Sequence, residues 1–85
     1  MSDWTDRLAS ELGVPTLPGP AEATLLRASR DVAHRVERKD TPISTYLLGV
    51  AVGMRISEGI DPDGALREVL AVLGAALPPV PELGP

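Results

Sequence analysis

The chain has 85 residues, no cysteine, two aromatic side chains (Trp4 and Tyr46), and twelve acidic against eight basic side chains, for a net charge of −4. These figures exclude disulfide staples, thiolate zinc sites and cysteine nucleophiles, and they argue against nucleic acid, whose phosphates need clustered cations and whose single strands need aromatic platforms. One domain of this size buries only about 60% of the surface its unfolded chain exposes, so no deep private active site is expected and nearly every large apolar residue is needed for the core.

Proline and glycine punctuate the chain into four helical segments, with no sustained strand alternation. The first helix is expected to start after Ser2 as N-cap, to carry Asp3 and Asp6 in its first turn where the dipole favours them, and to stop at Gly13. Trp4, Leu8 and Leu12 form its apolar stripe, and Trp4 is expected to anchor the core. Val14 to Pro20 is a proline-stiffened linker. The second helix is expected from about Pro20 to Lys39. Leu25, Ala28, Ser29, Val32 and Val36 then share the core face, while Arg27, Arg30, His34 and Arg38, flanked by Asp31 and Glu37, face solvent.

Thr41-Pro42 reads as an N-cap and first-turn proline for the third helix, which runs to about Ser57 and stops at Gly59. Ile43, Tyr46, Leu47, Val50, Ala51 and Met54 form one apolar arc, Thr45, Gly49, Val52, Gly53, Ile56 and Ser57 a second, small-residue one, and only Ser44 and Arg55 are left as a polar sliver. A helix apolar nearly all round is expected at the centre. Two interior glycines cost about 1 kcal/mol each relative to alanine, so Thr45, Gly49 and Gly53 are expected to mark a close helix approach, within the chain or across a homodimer seam. Asp61-Pro62-Asp63 opens the fourth helix, whose stripe is Leu66, Val69, Leu70, Leu73 and Leu77. The fold expected is all-α: a bundle of about four helices over residues 1–77 with a central Gly-containing third helix, followed by a Pro-rich, disordered tail over 78–85.

The N-terminus lacks the basic and apolar regions of a signal peptide. The most apolar stretch, Ile43 to Ile56, is short of the ~20 residues of a membrane span and contains Arg55. A cytoplasmic protein with no membrane partner is expected. His34 is the one histidine, and Asp31, His34 and Glu37 offer no second helical pair for a di-metal site, so no metal or cofactor is expected. Ser29 and Ser44 have no evident base and orienting carboxylate, and no P-loop is present, so no catalytic residue is assigned and no enzyme activity is expected. The chemistry-bearing feature is the stripe Arg30, Asp31, His34, Glu37 and Arg38, with Arg27 beside it. It reads either as a solvated network of intrahelical pairs or as a surface that recognises a carboxylate or phosphate on a protein partner or a ligand.

The residues Asp3-Trp4, Leu25-Leu26, Arg30-Asp31-Val32-Ala33-His34, Val36-Glu37-Arg38, Pro42, Thr45 and Leu47-Leu48-Gly49 with Ala51 and Gly53 resemble a small actinobacterial domain family, DUF6457, over about residues 2 to 75. Segments of this kind also occur as C-terminal extensions of molybdenum cofactor guanylyltransferase-like nucleotidyltransferases. The resemblance therefore implies an accessory role near molybdopterin guanine dinucleotide formation, with a nucleotidyltransferase of cofactor synthesis as protein partner, and it supplies no catalytic residues. Two other readings stand beside it: a small anion- or nucleotide-binding domain using Arg30, His34 and Arg38, and a self-associating structural module using Gly49 and Gly53.

Overall fold

A computed structural model describes residues 3–80. Four helices follow one another: α1 (Asp3–Leu12), α2 (Gly19–Arg35), α3 (Asp40–Ser57) and α4 (Pro62–Ala76). The chain is a small all-α bundle. α3 lies between α2 and α4 and packs on both, whereas α1 has no comparable approach to any helix. The ends of the packed helices fix their directions. Arg55, near the end of α3, meets Glu68 in the first half of α4, and Arg35, ending α2, donates from Nε to the carbonyl of Pro78 just past α4 at 2.8 Å. Successive helices α2, α3 and α4 are therefore antiparallel.

The glycine stops take the form that a left-handed residue allows. Gly13 has φ +70° and Gly59 φ +98°, and both sit in paired C-terminal turns. The Gly13 amide bonds the Ser10 carbonyl and Val14 the Ala9 carbonyl, while Gly59 and Ile60 bond Ile56 and Arg55 in the same pattern. This is the Schellman arrangement, which satisfies carbonyls that a helix end leaves open. At the start of α4 the Asp61 carboxylate accepts from the Gly64 amide at 3.0 Å, with Pro62 in the first turn.

Two boundaries differ from expectation. α2 ends at Arg35 rather than near Lys39, with Val36 at φ −120° and ψ −99° as its cap, and the chain then turns through amides of Asp40 and Thr41 bonded to Glu37 and Arg38 carbonyls. α3 accordingly begins at Asp40, which makes Thr41 its second residue instead of its N-cap. Proline tolerates this, since first-turn amides have no intrahelical acceptor anyway. The Thr41 hydroxyl, deprived of the capping role, is buried with no hydrogen-bond partner. The Ser2 cap expected for α1 and the tail beyond residue 80 lie outside the described residues.

Among the described residues, only Val32 of α2 and Ala65 and Val69 of α4 are buried. The expected core faces of α2 and α4 hold in phase: Leu25, Ala28 and Ser29 are half-buried beside Val32, and Leu66, Leu70, Leu73 and Leu77 beside Val69. Val36, just past the helix end, is not. α3 is turned around relative to expectation. Its half-buried residues are Asp40, Thr41, Ser44, Leu48, Ala51, Val52 and Arg55, whereas Ile43, Tyr46, Leu47, Val50 and Met54 are exposed. The expected polar sliver thus faces the neighbouring helices. Its polar atoms are satisfied there, because Ser44 Oγ donates to the Asp40 carbonyl and Arg55 bonds both Glu68 and the Ala51 carbonyl. Trp4 is likewise not a core anchor; it is 60% exposed, because α1 is carried on a linker that does not return it to the bundle.

Two stability outcomes follow from these placements. Trp4→Ala should cost far less than the ~3 to 5 kcal/mol of a buried aromatic, and the native indole should already emit at the red-shifted position of a solvated one; a blue-shifted emission band would contradict this. Thr41→Val replaces an orphaned hydroxyl by a methyl of the same shape and should raise the melting free energy by about 1 kcal/mol, as read by chemical denaturation.

Candidate interaction surface

Three surfaces emerge from this packing. The first is the polar side of α2. At 100° per residue Arg27, Arg30 and His34 fall within about 60° of one another, with Asp31 at the margin. Arg30 and His34 are exposed and Asp31 is half-buried. Glu37 and Arg38 do not continue this face, because the helix has already ended at Arg35. Glu37 instead pairs with Lys39 at 3.3 Å across the turn, both side chains well exposed, and such a pair contributes little to stability. The intrahelical network that would have consumed these charges is not formed: Arg27, Arg30, Asp31, His34 and Arg38 make no ion pair or side-chain hydrogen bond with described residues. Asp31, His34 and Glu37 do not converge either, and the described residues hold no group of three His, Cys, Asp or Glu side chains arranged for a metal ion. Arg35 is the α2 cation with a structural task, the Pro78 carbonyl. Nothing in its spacing singled it out, since its partner lies 43 residues away.

The second surface is an open apolar groove of about 540 Å³ between the linker, α3 and the start of α4, lined among others by Val14, Leu17, Gly49, Gly53, Asp61 and Leu66. Gly49 and Gly53 form part of its lining, yet no neighbouring group comes within 4 Å of where a Cβ would stand on either. The close helix approach expected within the chain at Thr45, Gly49 and Gly53 is therefore absent. The linker lines the groove without closing on it, and the Thr45 hydroxyl is spent locally on the Thr41 carbonyl at 2.9 Å.

The third surface is the outward face of α3, with Tyr46 71% and Met54 63% exposed. Residue types alone could not reveal it. The sequence marks this arc as apolar, and a helix apolar nearly all round gives no sign of which side faces outward.

A family model spans residues 1–81 of this sequence and matches it as a domain of unknown function, DUF6457. The chain belongs to that family. No curated protein and no solved structure matches it. The DUF6457 match covers all four helices and the linker, so all three surfaces lie inside the family domain. Among the described residues, no helix is long and apolar enough to cross a membrane.

The open glycine positions carry a test. Gly49→Ala and Gly53→Ala should each stabilise the protein, by up to roughly 1 kcal/mol, through helix propensity alone, because the added methyl meets no neighbour. A lowered melting temperature for either variant would show that something does approach this stripe.

Proposed function

We propose that this DUF6457 chain is a non-catalytic, cytoplasmic accessory domain that docks on a protein partner through the polar face of α2. The observation that carries this reading is that the cations of the face are uncommitted. Arg27, Arg30 and His34 stand on one side of a helix with no partner among the described residues, and neither has Arg38 in the turn beyond. An arginine fork held on a helix matches carboxylate or phosphate geometry, and complementary charge sets partner choice and association rate more than raw affinity. His34, the chain's one histidine, lies exposed near the end of α2, within reach of the same partner. The family resemblance supplies the class of partner: a molybdenum cofactor guanylyltransferase-like nucleotidyltransferase.

The experiment is calorimetric titration of the purified chain against such a guanylyltransferase, with Arg30→Glu/Arg38→Glu alongside the wild type. The double variant should keep the wild-type folding stability to within about 1 kcal/mol, because both side chains are exposed and pair with no described residue, and should lose binding at least tenfold. Wild-type affinity in a well-folded double variant would remove the α2 face from the reading. The anion-binding alternative has its own readout in thermal shift with GTP, molybdate or phosphate, where ligand at a hundred times its Kd adds ~2.7 kcal/mol.

A further inference from the structure

The outward face of α3 carries an inference independent of the α2 docking reading. Ile43, Leu47, Val50 and Met54 recur at intervals of four, three and four residues, which is the seam spacing of a coiled coil. On the α3 wheel the four fall within about 60°. All four are exposed, and Tyr46 flanks them. From Thr41 to Met54 the helix holds no charged residue. An exposed stripe of this kind on a helix whose other side is already packed is a face awaiting cover.

We propose that a second copy of this chain covers it, α3 against α3 in antiparallel sense about a two-fold axis. Two observations select this occupant. The four-three-four spacing reads the same in both directions, so antiparallel pairing sets Ile43 against Met54 of the second copy and Leu47 against Val50 of the second copy, each contact occurring twice as an isologous interface requires. The uncharged run lets the two faces meet without like-charge repulsion or a buried unpaired ion. The chain's own α1 is not in position to serve, since its linker runs along the groove on the Gly49 and Gly53 side of α3.

The test uses the whole chain. Light scattering across a concentration series should give twice the 8.9 kDa chain mass, and Val50→Glu should return the single-chain mass with an unchanged helical circular dichroism spectrum, because Val50 is exposed within one copy. As the chain has no cysteine, Leu47→Cys and Val50→Cys variants mixed and oxidised should form the mixed disulfide in preference to either like pair. A single-chain mass at hundreds of micromolar would overturn the proposal, whether α1 or an unrelated protein then covers the face. A dimer that survives Val50→Glu, or a mixture that fails to cross-link, would overturn the α3 seam.

Discussion

α3 meets its neighbours through Ser44, Leu48, Ala51 and Arg55, and Arg55 is the residue that makes this side acceptable to bury. Its guanidinium reaches Glu68 of α4 at 3.2 Å and the Ala51 carbonyl at 3.4 Å, so the charge is paired where it is half-buried. With that phase set, Leu48 and Ala51 turn toward the layer formed by Val32, Ala65 and Val69, and the broad apolar arc turns outward. Ala65 of α4 is fully buried, and its small side chain suits the close packing of that helix.

The parts of the fold that were legible in the sequence are those governed by local backbone chemistry. Gly13 and Gly59 mark helix ends because a residue with positive φ is needed there, and Asp61-Pro62 marks a start because the carboxylate and the ring each suit a terminus whose amides are unpaired. The α4 core face was legible because its large residues Leu66, Val69, Leu70 and Leu73 share one stripe, and the α2 core face because that helix has a distinct polar side. α3 has none: its apolar residues cover most of the circumference, so periodicity fixes no phase, and the side that packs carries Ser44, Ala51 and Arg55, whose partner Glu68 lies 13 residues further on. The missed end of α2 has a related cause. Val36 to Lys39 continue the helical pattern of side chains, but the turn is held by backbone bonds from Asp40 and Thr41 that residue type does not announce. That early end removes Glu37 and Arg38 from the helix face and leaves Arg27, Arg30 and His34 as its coherent part.

Exposure of the α3 arc and the thinness of the core are one fact. A bundle of this length spends its apolar residues either inward or outward, and here Ile43, Leu47, Val50 and Met54 are outward, leaving Val32, Ala65 and Val69 as the buried residues among those described. Whatever covers α3 therefore adds to folding stability as well as to assembly, because a species that binds only the folded chain shifts the folding equilibrium by mass action.

The uncommitted charges and the apolar seam sit on different helices, α2 and α3, so occupation of one need not block the other. A two-fold pair closed through α3 displays two copies of the α2 face. A partner with two acceptor sites at matching separation then meets the second face intramolecularly, and the gain is set by effective concentration rather than by any added contact. Individually weak, salt-sensitive arginine contacts of the kind α2 offers are those that profit most, since each alone is screened over about 8 Å at physiological ionic strength. The apolar seam would supply permanence and the charged faces choice of partner, a division of labour that follows from which side of α3 faces outward.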